Sequence, residues 1–344
     1  MQKYDKSILI VGNFLSASLG TRSVCEDFSE RLVEAGWNVI TTSSKLGRME
    51  RILDMLGTVW SARYQYSLAS IDIFSGLAFI WAEVICFVLK QMGKPYILIL
   101  HGGNLPEFSR RWPGRVSRLL LSATRVVAPS KYLLDNMKPY RSDIVLIPNP
   151  IDIAKYSFHP RNSPRPILIW LRAFHNIYNP SLTVFVMALL NSMSPGFRLL
   201  MGGGDKGDGS FQRARRQAEL SGISHQIIFS GKIPNKDVPD WLHNGDIFIN
   251  TTNYDNTPVS VLEAMACGLC VVSTNVGGIP FLLHDGKDAL LVPPNDPTAM
   301  AAAIRRILTE PGLALALSLN GRKLVEQFDW HKIYPVWEDL FNNI

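Results

Sequence analysis

Four scattered cysteines in 344 residues are too few for a disulfide framework and suit a chain kept in a reducing compartment. Cys267 and Cys270 form a CxxC. They fall between an apolar helical stretch and an apolar strand with no second pair, which argues against a zinc or redox site. Long charge-free apolar runs are also missing. The nearest, Ile71 to Leu89, carries Asp72 and Glu83 and breaks at Ser75-Gly76, so it reads as strand, turn and buried helix and not as a membrane span. The opening MQKYDKSILIVGNF is expected to run directly into a strand without a cleavable leader. No cluster of metal ligands stands out, and no nucleic-acid motif accompanies the basic residues.

What is present is an ordinary globular composition, 47% apolar and 19% charged with a mean hydropathy of +0.08, in a chain long enough for two domains. The net charge of +6 is uneven: residues 1–165 hold 21 basic and 13 acidic side chains, residues 166–344 hold 14 and 16. Basic density peaks at Arg110, Arg111, Arg115, Arg118 and Arg125, interleaved with Trp112, Val116 and Leu119 to Leu121. Such a segment either lies on an anionic membrane surface or is the solvated face of a helix.

Strand, loop and helix alternate from the start: Ser7 to Phe14, Leu15 to Gly20, then Thr21 to Ala35 with Val24, Phe28 and Leu32 on one face. Further strands are expected at Trp37–Thr42, Ile71–Phe74, Tyr96–Leu100, Arg125–Ala128 and Ile144–Ile147, with a helical region between Ser44 and Tyr66. This is the pattern of a doubly wound parallel sheet, whose ligands sit beyond the carboxyl ends of the strands. Gly20 and His101 lie at such ends. Tyr156 to Pro166 reads as a linker, broken by Pro160, Pro164 and Pro166, and Ile167–Leu171 opens a second series that ends in Arg172. The domains are thus expected at 1–160 and 161–327, with a last helix in 328–344. Gly202 to Gly207 matches GxGxxG after a strand. The following strand, Gln226–Phe229, ends in Ser230-Gly231-Lys232 without the acid a dinucleotide site wants, so an NAD(P) oxidoreductase rests on a weak signal.

The most informative stretch is YDNTPVSVLEAMACGLCVVSTNVGGIP, Tyr254 to Pro280. Asp255-Asn256-Thr257-Pro258 reads as a loop with Thr257 as helix cap and Pro258 in the first turn. A helix follows to the stop at Gly268, then a buried strand and a second loop at Gly277-Gly278. Free amides at a helix start suit a phosphate-bearing ligand. On residue type alone Asp255 is equally a turn residue and Glu263 a solvated helix residue.

Asp255, Glu263, the run AMACG, VVS and GGIP together resemble the donor-site signature of glycosyltransferase family 4. His101-Gly102, Ala128-Pro129-Ser130 and Arg172 occur in that family's order. The resemblance implies the GT-B fold: two Rossmann-like doubly wound domains facing across a cleft, with the C-terminal helix crossing back to the first domain. It implies retaining transfer from a nucleotide diphosphate sugar to a glycan or lipid-linked glycan, with no other cofactor and no metal, in the cytoplasm or peripherally at the cytoplasmic face of the membrane.

By the same resemblance, Glu263 holds the ribose and Asp255 and His101 contact the transferred sugar. Gly20 approaches donor phosphate or acceptor. Arg172 and the helix-start amides on either side of Pro258, those of Asn256, Thr257 and Val259, take the diphosphate, and Gly231, Lys232 and Ile233 form a nucleobase-side loop. Two departures stand out. Asp255 replaces the family's usual Glu, and the Lys expected soon after Arg172 is absent, its region offering His175, Asn176, Tyr178 and Asn179, with Lys206 or Lys232 as cations from elsewhere. Rival readings are a non-catalytic nucleotide-sugar-binding homologue and a nucleotide-sugar epimerase of similar fold.

Overall fold

A computed structural model describes residues 6–16, 23–194 and 196–344. The expected loop glycine, Gly20, lies outside the described residues. The chain divides into two compact units, one of residues 1–149 with 333–344, the other of residues 150–332. Among the described residues, twelve strands form two six-stranded sheets, and every paired strand is parallel.

The first unit contains β1 (Ser7–Val11), β2 (Asn38–Thr42), β3 (Leu68–Ile73), β4 (Tyr96–Leu100), β5 (Arg125–Ala128) and β6 (Val145–Leu146), in the order β2-β1-β3-β4-β5-β6. Strands such as SILIV and YILIL are buried at every residue, as a sheet covered on both faces requires. The helix Val24–Glu34 starts later than the apolar spacing suggests. Its start is set by a reciprocal cap, with the Ser23 amide donating to Glu26 Oε2 at 2.7 Å. The helical region after β2 is Arg48–Ser61, and Leu77–Gln91 follows β3. Residues 333–344, most of the last helix Trp330–Asn342, belong to this unit: Trp337 packs on Phe28 at 4.7 Å and Phe341 on Trp37 at 4.6 Å between ring centroids.

The second unit contains β7 (Ile167–Leu171), β8 (Arg198–Gly202), β9 (Ile227–Gly231), β10 (Ile247–Asn250), β11 (Cys270–Thr274) and β12 (Leu290–Val292), in the order β12-β11-β10-β7-β8-β9. The chain adds β8 and β9 on one side of β7, then returns to its other side with β10. In the first unit the same reversal lies between β1 and β3. Each reversal opens a crevice at the carboxyl ends of its two strands, because the connecting loops leave in opposite directions.

The proline-rich stretch expected as a linker is packed onto the second unit. The His159 amide donates to the Cys267 carbonyl at 3.2 Å, and the buried Arg161 pairs with the buried Asp246 at 2.8 Å, joined by Arg165 at 2.9 Å. Burial pushes the Asp246 carboxyl up, but the Arg165 bonds and the Arg161 charge outweigh it and hold it below the usual range. Since the folded value is the lower one, this stabilisation is complete above the unfolded aspartate pKa of about 4 and is lost as pH falls through the lowered value. Asp246→Ala leaves Arg161 buried without its counter-charge and is expected to cost about 3–5 kcal/mol. Urea unfolding at neutral pH checks this, and a loss under 1 kcal/mol contradicts it.

Candidate donor site in the second unit

The site is built where the second sheet reverses. β7 ends in Arg172, and β10 leads through Thr251 and Thr252 to Asp255. Eighty-three residues apart in sequence, Arg172 Nη2 and Asp255 Oδ2 form an ion pair with only 13% and 12% of their side chains exposed. Asp255 also accepts the Asn256 amide at 2.9 Å. Burial pushes the Asp255 carboxyl up, against the pull of Arg172 and that amide. The Tyr178 ring lies under the guanidinium, 4.2 Å from centroid to carbon. Arg172 Nε is buried with no acceptor among the described residues. A buried, unmatched donor is costly, and a ligand oxygen is the partner that would satisfy it.

Glycines bring the backbone together around this pair. Gly203, with φ at +150°, lies so close that a Cβ there would overlap the Arg172 carbonyl oxygen. Its amide donates to the Gly231 carbonyl at 2.7 Å, which brings the Gly231-Lys232-Ile233 loop to the same edge. Gly277 and Gly278 press equally closely on the carbonyls of Asp255 and Asn256, and the Gly278 amide donates to Asp255 at 2.9 Å. The GxGxxG match is therefore a packing turn against β7.

The following helix is Val259–Ala266, capped by Pro258 with no side-chain bond. This corrects the expected Thr257 cap: Pro258 is itself extended, at φ −72° and ψ 110°, so Thr257 sits one residue too early. The amides of Val259 and Ser260 open the helix, and Ser260 Oγ is buried with no partner among the described residues. Glu263 lies just over one turn in and accepts the Tyr156 hydroxyl at 2.8 Å. Ser260 and Tyr156 were not singled out by sequence. A serine at the second helical position was a signal for the first. Nothing in the sequence pointed to Tyr156.

In the region of the absent Lys, only Tyr178 faces Arg172. His175 turns to Asp208 at 3.8 Å, Asn176 receives the Arg213 guanidinium, and Asn179 donates to Asn295 at 2.8 Å. The cation that reaches this segment is thus Arg213, from the helix Ser210–Leu220, which the sequence reading did not name. Lys206 and Lys232 are both exposed. Cys267 and Cys270 are buried, their thiols pushed up to about 12 chiefly by desolvation, so neither is a ready nucleophile or ligand.

In the first unit, His101 follows β4, stacks on Phe74 at 5.0 Å and donates from Nε2 to Asp72 Oδ1 at 3.1 Å. Asp72, near the end of β3, was seen in the sequence only as a charge interrupting an apolar run. The basic segment is two helices, Leu105–Arg111 and Pro113–Ser122, separated at Trp112. Arg110 pairs with Glu107, whereas Arg115 is drawn down to Glu83 and the Phe79 ring. Arg111 and Arg118 are exposed. Among the described residues no helix is long and apolar enough to cross a membrane.

Two family models match the chain almost end to end: Glycosyltransferase Family 4 over residues 21–155 and Glycosyl transferases group 1 over residues 154–324. A D-inositol 3-phosphate glycosyltransferase of Acidothermus cellulolyticus is 26% identical over 271 residues, covering 73% of this chain and 60% of that protein. The chain thus spans about three-fifths of the length of this curated relative. Among solved structures, sucrose-phosphate synthase of Thermosynechococcus elongatus superposes with a TM-score of 0.80 at 20% identity, covering 98% of both chains. Anabaena HepE in complex with UDP-glucose gives 0.74 at 17% identity, covering 98% of this chain and all of the other. These likenesses establish the GT-B fold.

Proposed function

Since the chain belongs to the group 1 glycosyltransferases with a family 4 N-terminal region, we propose that it moves a sugar, with retention at the anomeric carbon, from a nucleotide diphosphate sugar to a glycan or lipid-linked glycan. The observation that carries this reading is the buried, unpartnered Nε of Arg172 beside Asp255 at the reversal of the second sheet. In this reading Arg172 takes the diphosphate through Nε while Nη2 holds Asp255. The amides of Val259 and Ser260 and the Ser260 hydroxyl bind the same oxygens. Glu263, steadied by Tyr156, accepts the ribose hydroxyls. Asp255 orients the sugar, and Gly231 to Ile233 border the base. UDP is the first nucleotide to test, as HepE is solved with UDP-glucose.

In the reaction the bond from the anomeric carbon to the diphosphate oxygen breaks, and the acceptor oxygen bonds to that carbon. The diphosphate leaves with the electron pair, and the hydroxyl proton departs with it or to solvent. Negative charge grows on the leaving oxygen, where Arg172 and the helix amides stand. Incubation with isotope-labelled donor tests the reading. Acceptor-dependent product with the donor's anomeric configuration supports it. Sugar isomerisation without acceptor identifies an epimerase, and donor binding without any turnover identifies a binding homologue.

Peripheral attachment at the cytoplasmic membrane face belongs to the same reading. Its support is the exposed Arg110, Arg111 and Arg118 beside Trp112 (47% exposed) and Leu121 (66% exposed). Replacing these three arginines by Gln is expected to weaken binding to anionic vesicles by about 1 kcal/mol each at low salt. Co-sedimentation unchanged by the triple substitution removes the surface role. Arg115 is left out because Glu83 holds it.

A further inference from the structure

The first unit carries a cavity of about 380 Å³ at its own reversal, beyond the carboxyl ends of β1 and β3 and between the helices Arg48–Ser61 and Leu77–Gln91. Its walls differ sharply in chemistry. Arg48 and Arg51 line one side, while Met55, Leu77, Trp81 and Ile85 form an apolar side. Arg51 is held by neutral oxygens only: Nε donates to the Lys45 carbonyl at 2.9 Å, Nη1 to Asn13 Oδ1 at 2.9 Å and Nη2 to the Leu46 carbonyl at 3.0 Å. Among the described residues neither arginine forms an ion pair. Burial and the neighbouring Arg48 charge both push the Arg51 pKa down, the signature of crowded cations that an anion would relieve.

The apolar side continues out of the cavity. On the helix Leu77–Gln91, Leu77, Ile80, Val84 and Phe87 recur at helical spacing and are 63%, 42%, 40% and 63% exposed. Asp72 also lines the cavity, and its Oδ1 accepts His101.

We propose that this cavity binds the acceptor, and that the acceptor is a phosphorylated amphiphile: its phosphate on Arg48 and Arg51, its hydrocarbon against Met55, Trp81 and Ile85 and out along Leu77–Gln91, its hydroxylated portion toward Asp72. Two guanidinium groups with no counter-charge among the described residues select an oxyanion, and a purely polar glycan would leave the apolar wall without a partner. The carboxylate of Asp72 suits a hydroxyl donor and repels phosphate, which fixes the direction of binding. The assignment rests on the transferase reading for the word acceptor only. The binding claim stands without it.

The test is titration of farnesyl phosphate, inorganic phosphate and farnesol. It uses Arg172→Gln protein, so that the donor site does not report. Farnesyl phosphate is expected to bind at least about tenfold more tightly than either fragment. Adding Arg48→Gln, an exposed change that breaks no internal bond, is expected to weaken it by about tenfold. Ala78→Phe, which fills the apolar side, should bring it down to the level of inorganic phosphate. Equal binding of farnesyl phosphate and inorganic phosphate overturns the amphiphile, leaving a simple anion site. Binding indifferent to both added substitutions, or none at all, overturns the cavity as the site. Nucleotide binding by wild type is measured alongside. Its failure would sink the donor reading while leaving the farnesyl result to stand.

Discussion

Arg172→Gln is expected to lower turnover by a factor on the order of 10²–10³, with a smaller effect on donor KM. The charge that Arg172 meets grows as the diphosphate leaves, so its contribution is greater in the transition state than in the bound donor. The loss should exceed that of an ordinary phosphate contact for a second reason. Asp255, 12% exposed, would face the diphosphate with its counter-charge gone. Arg172→Gln combined with Asp255→Asn should therefore be less damaging than the two single effects added together. Arg172→Lys should restore little, because one ammonium cannot serve Asp255 through Nη2 and a phosphate through Nε at once. Steady-state kinetics on wild type, the two single variants, the double variant and Arg172→Lys decide the matter. Turnover within a factor of about three of wild type in Arg172→Gln would place the leaving group elsewhere.

Gly203→Ala is expected to destabilise the second unit by about 3 kcal/mol or more, while Gly204→Ala, one residue on, stays within about 0.5 kcal/mol. At Gly203 φ is +150° and the new methyl would overlap the Arg172 carbonyl oxygen, which the rigid β7–β8 pairing cannot move cheaply. At Gly204 a Cβ meets nothing within 4 Å. Because the clash is with Arg172 itself, the folded fraction of Gly203→Ala should also bind nucleotide poorly. Urea unfolding of both variants, with nucleotide titration of the folded protein, checks both parts. Equal stabilities would mean that the β8 turn is not packed on β7.

Much of this was legible because parallel strands buried on both faces are written as short apolar runs. Tyr96–Leu100, Arg125–Ala128 and Ile167–Leu171 fall where those runs stand. The central stretch was legible for another reason: loop, helix, strand and glycine loop are consecutive, so their local chemistry is contiguous. What escaped is what only folding brings together. The resemblance put Arg172 and Asp255 at one site, but nothing in the sequence paired them with each other, or Glu263 with Tyr156. The Arg161–Asp246 pair likewise turned an apparent proline linker into a packed strap. The Thr257 cap failed because Pro258, extended in its own right, took that place. Arg213 stayed hidden since it lies 37 residues from Asn176, beyond any local motif. The cavity by Arg48 and Arg51 could not be read at all. Its walls come from segments around residues 11–13, 48–55 and 71–85, and the middle one showed only helical character.

The central claim is that the reversal of the second sheet is a nucleotide-sugar site, and calorimetric titration of UDP-, GDP- and ADP-sugars into wild type and Glu263→Ala tests it most directly. The account predicts selective binding of one nucleotide class by wild type and a loss of about tenfold or more in the variant, as the ribose hydroxyls lose their charged acceptor. Binding of no nucleotide sugar by a folded wild-type protein, or equal binding by both proteins, would contradict it.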